Sequence, residues 1–148
     1  MFRHIVLDTN VFVAAGFNPR SHAARLLAAV RGGALILVWH AETRAEVLHV
    51  LGRIPPLRQL SVAGLFRPQA EYQAPLHPTA YAFIADNTDR IFAALAEAAG
   101  AALVTNDAHR LDHRHALRAP VLTPRICWEA WVRGADAGDG EREEPRRT

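Results

Sequence analysis

Two aspartates end apolar, strand-like runs, a position from which carboxylates can do chemistry. Asp8 follows "HIVL", and Asp107 follows "LVTN". Parallel strands that end alike can place their last side chains at the same edge of a sheet. Two further acids are candidates for this group: Glu46, which borders the apolar face of a helical segment, and Asp89, which falls in the first turn of a later one.

Four carboxylates gathered at one edge would repel one another and raise each other's pKa values. A hard divalent cation, Mg²⁺ or Mn²⁺, removes that conflict because it prefers oxygen ligands. Such an ion can polarise a phosphodiester and lower the pKa of a coordinated water, which supplies hydroxide near neutral pH. We therefore expect these acids to act first as metal ligands, with one of them or a metal-bound water acting as the base.

Each acid also has an ordinary structural explanation. Aspartate favours turns and helix caps, which covers Asp8 and Asp107 taken singly, and acids in a first helical turn, such as Asp89, are stabilised by the helix dipole. Glu46 could be a surface residue, as could Glu42 one turn earlier. The repetition of an apolar strand that ends in a polar trio favours a shared function for Asp8 and Asp107.

The elements that must position these acids alternate along the chain. Strands are predicted at 4–8, 34–38, 101–105 and 120–122, and helices at 21–33, 41–52, 86–100 and 123–132. This alternation implies an α/β domain whose parallel sheet is covered on both faces, and ligands bind such sheets beyond the carboxyl ends of the strands. In the 41–52 helix we expect Ala45, Leu48 and Leu51 to face the core.

Two segments depart from this alternation. Five prolines interrupt residues 53–80, where we expect irregular structure with a helical turn near 61–66. Residues 133–148 combine glycine with many charges and little apolar content, so they are expected to form a disordered tail behind a domain at 1–132.

Composition excludes several classes of protein. The 148 residues suit one domain. The sequence shows no long apolar span, no signal-peptide pattern and a single cysteine. These three features together predict a cytoplasmic protein without membrane attachment. All seventeen basic residues are arginine. The absence of lysine argues against haloacid-dehalogenase-like phosphatases, response-regulator receiver domains and Walker-type nucleotide sites, which need one.

The ordered set of motifs resembles the PIN-domain family across nearly all of residues 1–132. The matching stretches are "VLDTNVFVAA", "AETRAEVLHVL", "DRIFAALAEAAGAALVTND" and "PVLTPRICWEAW". Within that family the chain looks most like bacterial toxins of toxin–antitoxin systems, akin to VapC. The resemblance implies a single three-layer α/β domain with a parallel, Rossmann-like sheet of four to five strands.

The same resemblance implies a Mg²⁺- or Mn²⁺-dependent endoribonuclease that cleaves RNA with metal-activated water. Its catalytic and metal-binding quartet would be Asp8, Glu46, Asp89 and Asp107, with Asn10 and Thr105 as supports that orient the acids. Relatives of this type are held inactive by a cognate antitoxin protein and often form homodimers, so both partners are expected. Asp86 competes with Asp89 for the third acidic position. Asp112 is either an extra acid near the pocket or, as we expect, a solvated loop residue.

Two alternatives remain open at this stage. The chain could be a catalytically silent PIN-like module that binds RNA or protein through its surface arginines, among them Arg25, Arg31, Arg53, Arg58 and Arg67. A zinc site at His109, His113 and His115 is disfavoured, because two of these histidines stand only two residues apart and no cysteine lies nearby.

Overall fold

A computed structural model of the protein describes residues 3–84, 87–106 and 116–143. Asp86, Asp107, Asp112 and the three histidines of the zinc alternative lie outside these ranges. No helix in the described ranges is long and apolar enough to cross a lipid bilayer.

Four parallel strands form the sheet, in the spatial order β2–β1–β3–β4. They are β1 (His4–Leu7), β2 (Ile36–Leu37), β3 (Ala102–Val104) and β4 (Val121–Leu122). The apolar, β-branched residues of β1 are fully buried at the centre, with Ile5 opposite Ala102 and Leu7 opposite Val104. The chain leaves β1 towards β2 on one side and returns to β3 on the other, so the strand order reverses between β1 and β3.

Within the described ranges, five α-helices flank the sheet: α1 (Thr9–Phe17), α2 (His22–Arg31), α3 (Ala41–Gly52), α4 (Asn87–Ala99) and α5 (Pro124–Glu143). Helix α4 packs directly on β1 and β3, while α2 packs on α1 and α5. The parallel sheet flanked by helices confirms the predicted fold class. The last helix runs past residue 132 into the segment expected to be a disordered tail, and the domain boundary stays a prediction.

Local signals explain where the predicted helices begin. The Ser21 hydroxyl accepts the N–H of Ala24 at 3.1 Å and caps α2, and Thr123 caps α5 by accepting the N–H of Ile126 at 3.1 Å. Helix α2 ends before Gly33, whose positive φ of 83° is costly for a residue with a side chain.

The sequence analysis missed one helix and was wrong about the buried face of another. Helix α1 was not predicted; it buries Val11, Phe12 and Ala15 and contacts α2 and α3, so tertiary packing outweighs its weak periodicity. In α3 the buried face is Thr43, Val47 and Leu51, with Leu48 half-buried and Ala45 exposed. The face is therefore rotated from the predicted one, which places Ala45 on the solvent side.

Residues 53–81 contain four short 3₁₀ turns, which confirms the expected irregular structure. The turns are Pro55–Leu57, Ala63–Leu65, Pro68–Ala70 and Pro78–Tyr81. The segment is tied to the sheet at Trp39, whose indole N–H donates to the Arg67 carbonyl at 2.7 Å and whose carbonyl accepts the N–H of Tyr72 at 2.7 Å. It therefore borders the β2 side of the sheet.

Candidate active site

Asp8 is the residue at which β1 ends and α1 begins. Its backbone N–H donates to the Val104 carbonyl at 3.1 Å and so continues the β1–β3 ladder. Its carbonyl accepts the N–H of Val11 at 3.0 Å, in the first turn of α1. With the backbone held from both sides and the side chain fully buried, the carboxylate has a fixed place at the carboxyl edge of the central strand.

The Asp8 carboxylate accepts a hydrogen bond from Thr105, the residue that follows β3. Its hydroxyl donates to Asp8 Oδ2 at 2.6 Å, and both residues are completely inaccessible to solvent. The N–H of Thr105 in turn donates to the Leu122 carbonyl at 2.9 Å, which anchors Thr105 to β4. Hydrogen bonds from a hydroxyl to an ionised carboxylate are short and strong, so this contact restricts the rotation of the Asp8 side chain.

Asn10 makes a second link between the same two strand ends. Its side-chain oxygen Oδ1 accepts the backbone N–H of Asn106 at 3.3 Å. Together with the Thr105–Asp8 bond, it ties the start of α1 to the residues that follow β3. These contacts are those expected of residues that support the acids, and the roles of Asn10 and Thr105 remain predictions.

Burial separates two of the predicted acids from the other acids described. Asp8 and Asp89 are the buried charged side chains of the described ranges, at 0% and 7% exposure. Glu42 is exposed and Glu46 is half-buried. Aspartate is rarely buried unless it is paired or serves a site, so these two positions carry a cost that surface acids do not.

The direction of α4 accounts for the position of Asp89. The helix leads through a short turn at Gly100 into β3 and packs on β1 and β3. A helix that returns along a sheet in this way runs antiparallel to the strands, so its first turn lies towards the carboxyl edge. Asp89, in that first turn, therefore lies towards the same carboxyl edge of the sheet as Asp8.

Glu46 is carried by α3, which packs against α1 and α4. Within the described residues, no three His, Cys, Asp or Glu side chains lie close enough together to hold a metal ion. Asp8, Glu46 and Asp89 therefore do not form such a trio. The fourth predicted acid, Asp107, lies outside the described ranges, so the complete quartet stays a prediction.

The chemistry of the donors fits a hard cation. The candidate ligands are carboxylate oxygens, with a threonine hydroxyl beside one of them, and the buried polar residues of the described ranges include no histidine. The one described cysteine, Cys127, is buried in α5, and burial raises the pKa of its thiol to about 12. Mg²⁺ is typically held by one or two carboxylates together with water molecules. Asp8 and Asp89 would supply the two carboxylates.

Three of the arginines named for the alternative binding surface also donate hydrogen bonds to backbone carbonyls of the fold. Arg31 donates to the Ser61 carbonyl at 2.9 Å, Arg67 to the Arg31 carbonyl at 2.7 Å, and Arg58 to the Gly52 carbonyl at 2.9 Å. These bonds hold the irregular 53–81 segment against α2 and α3. The sequence analysis did not single out Arg20 and Arg125, which line one cleft of the described structure. Arg20 directly precedes the Ser21 cap, and Arg125 lies in the first turn of α5.

Comparison with known proteins identifies the family. A family model described as "PIN domain" matches residues 4–109, which is more than half of the chain. No curated protein sequence is significantly similar to this chain.

Two solved structures share the fold. One is VapBC2 from Rickettsia felis bound to a DNA fragment from its promoter, with a TM-score of 0.55, 16% identity, and coverage of 81% of this chain and 98% of that chain. The other is FitAcB from Neisseria gonorrhoeae, with a TM-score of 0.56, 19% identity, and coverage of 81% and 97%. At these identities the likeness is one of fold.

Proposed function

The chain belongs to the PIN-domain family, and we propose that it is a metal-dependent endoribonuclease and the toxin of a toxin–antitoxin pair. The observation that carries the proposal is the fully buried Asp8 carboxylate, oriented by Thr105 where the strand order reverses between β1 and β3. Ligands of parallel α/β sheets bind at this kind of position. A buried acid there is a candidate for function.

In this mechanism Asp8 and Asp89 would hold Mg²⁺ or Mn²⁺, with Glu46 and Asp107 as further proposed ligands. The ion would supply Lewis acidity at the scissile phosphate and a lower pKa for water. Thr105 keeps the Asp8 carboxylate in one orientation, and Asn10 keeps the two strand ends at a constant separation. Burial of Asp8 excludes bulk water, which strengthens every electrostatic interaction that the carboxylate makes.

The proposed partners follow from the family and from the fold. RNA is the proposed substrate, and a cognate antitoxin protein is the proposed inhibitor, since one structure of the same fold is the VapBC2 complex. A homodimer and a cytoplasmic location are further proposals. Co-expression with a neighbouring small reading frame, followed by co-purification and inhibition of cleavage, tests the antitoxin partner.

Cleavage of a mixed pool of single-stranded RNA with Mn²⁺ tests the nuclease directly. We expect the wild type to cleave, the chelated protein to lose activity, and Asp8→Asn to be inactive although folded. Glu97→Gln is the matched control, because it also neutralises one carboxylate but lies at the C-terminal end of α4, away from the carboxyl edge. A wild type that leaves RNA intact contradicts the nuclease and favours the silent binding module.

A further inference from the structure

A cleft of about 440 Å³ opens beside the candidate active site, at the starts of α2 and α5. Its charged lining consists of Arg20 and Arg125, and His22 and Asn106 form part of the wall. No acidic side chain of the described residues lines it. The cleft is therefore cationic, at the edge of the sheet where the buried acids lie.

Two local structures place the arginines at this cleft. Before α2, the Asn18 side chain accepts the N–H of Arg20 at 3.0 Å, and the Asn18 carbonyl accepts the N–H of Ser21 at 3.0 Å. This tight turn sets Arg20 just ahead of the helix. At α5, Pro124 occupies the first helical position after the Thr123 cap, so Arg125 follows in the first turn.

Both guanidinium groups are available to a ligand. Arg20 is exposed, and its side chain makes no hydrogen bond or ion pair within the described part of the chain. Arg125 Nε lies 3.5 Å from Glu129 Oε1, and the two side chains are 72% and 44% exposed. An exposed ion pair of this kind is weak, so the guanidinium can exchange the carboxylate for a phosphate oxygen.

Asn106 connects the cleft to Asp8. It lines the cleft, its N–H is held by Asn10, and the preceding residue, Thr105, donates to the Asp8 carboxylate. The cleft therefore adjoins the end of β3 that carries Thr105, so a nucleic-acid strand bound at the candidate active site has the cleft beside it. Arginine forks match phosphate oxygens in pairs, and contacts to phosphate fix the register of a strand without reading its sequence.

We propose that the Arg20–Arg125 cleft binds a backbone phosphate of the RNA next to the one that is cleaved. This inference rests on the proposed function and adds a subsite to it. Because the contact is made equally before and during the reaction, its removal raises KM more than it lowers kcat. The two arginines are positioning residues, and the cleft contributes affinity without base preference.

The first test measures binding of a short single-stranded RNA by fluorescence anisotropy, without divalent metal so that no cleavage occurs. The cleft variant is Arg20→Gln with Arg125→Gln. The control is Arg3→Gln with Arg133→Gln, which removes the same charge from exposed residues, one at the start of β1 and one further along α5. We expect the cleft variant to bind roughly tenfold more weakly at low salt, and its slope of log K against log salt to flatten by about 0.7 for each phosphate that the protein no longer neutralises.

The second test replaces single linkages of the RNA with neutral methylphosphonates. One replacement should weaken binding to the wild type and have no further effect on the cleft variant. The proposal is overturned if the cleft and control variants bind RNA equally. It is also overturned if the cleft variant loses binding of an acidic partner protein while its affinity for RNA is unchanged. A wild type that binds through the cleft but does not cleave contradicts the nuclease and leaves the phosphate site standing.

Discussion

A carboxylate lies at each of the two edges of the parallel sheet and accepts hydrogen bonds from a distant segment of the chain. The two carboxylates differ in the groups that donate to them. At the amino edge, Glu97 Oε2 accepts the backbone N–H groups of Arg118 and Ala119 at 2.7 and 2.8 Å, just before β4 begins. At the carboxyl edge, Asp8 accepts the Thr105 hydroxyl. Glu97 is half-buried, whereas Asp8 is fully buried.

The difference separates a structural acid from a candidate functional one. Backbone N–H groups at a turn need an acceptor, so Glu97 has a structural purpose that its hydrogen bonds explain. Thr105 could satisfy its hydroxyl in many ways, and a fully buried aspartate is costly to the fold. Under the proposed function the Asp8–Thr105 pair serves to orient a carboxylate for a ligand, and the two edges should then respond differently to mutation.

The largest expected effect is on the carboxyl edge. Asp8→Asn should lower RNA cleavage by roughly a thousandfold or more, because it removes a charged metal ligand while its amide oxygen can still accept the Thr105 hydroxyl. Single-turnover cleavage at saturating Mn²⁺ measures this, with circular dichroism to show that the variant is folded. Activity within about threefold of the wild type would mean that Asp8 is not part of the chemistry.

Removal of the supporting hydroxyl should have a smaller effect at the same edge. Thr105→Val keeps the shape of the side chain but frees the Asp8 carboxylate to rotate, and we expect metal affinity or cleavage to fall by about 10- to 100-fold. Thr105→Ser retains the hydroxyl and is expected to keep most of the activity. Equal activity of the valine and serine variants would argue against an orienting role.

At the amino edge the effect should be on stability instead. Glu97→Ala leaves two backbone N–H groups without their acceptor, so the free energy of unfolding should fall by about 2 kcal/mol, and Glu97→Gln by about 1 kcal/mol. Urea titration measures both values. Cleavage of RNA per folded molecule should be unchanged. If Glu97→Gln lowers cleavage selectively, the two edges do not differ in function.

The smallest predicted effect concerns Tyr81, which lines the same cleft as Glu97. Burial and the Glu97 carboxylate raise the pKa of Tyr81 above 10, with Arg118 opposing them. The unfolded chain therefore loses this proton first, so the contribution of Tyr81 to stability is complete below about pH 10 and disappears as the pH rises through the folded pKa. Tyr81→Phe should flatten the stability profile above about pH 10.

The wild type and Tyr81→Phe are best compared as a difference between two urea-denaturation series. The buried Cys127 thiol, with its pKa of about 12, also changes the stability of the fold at high pH, but it does so equally in both proteins. Parallel profiles above about pH 10 would show that the Tyr81–Glu97 contact does not influence titration of the phenol.

The sequence predicted those features that depend on local pattern. The strand at Asp8, the Ser21 and Thr123 caps and the parallel sheet follow from apolar runs, capping residues and alternation, each visible within a few residues. The burial of Asp8 and Asp89 agrees with their selection as candidates.

Features that depend on packing between distant segments were not predicted. Helix α1 consists of "TNVFVAAGF", whose apolar residues do not follow a clear helical pattern. A Cβ atom at Gly16 would lie 2.6 Å from the Leu57 side chain, so contact with the 53–81 segment leaves no room for a side chain at this position. The Arg20–Arg125 cleft joins residues far apart in sequence, and only the packing of α2 on α5 brings them together.

The central claim is that the buried acids at the carboxyl edge hold a divalent ion. Titration of Mn²⁺ followed by the electron paramagnetic resonance signal of the free ion tests it in the wild type, Asp8→Asn, Asp89→Asn and the Glu97→Gln control. The claim predicts that the wild type and Glu97→Gln deplete free Mn²⁺ while the two aspartate variants bind it much more weakly. Equal depletion by all four proteins, or none by the wild type, would contradict it.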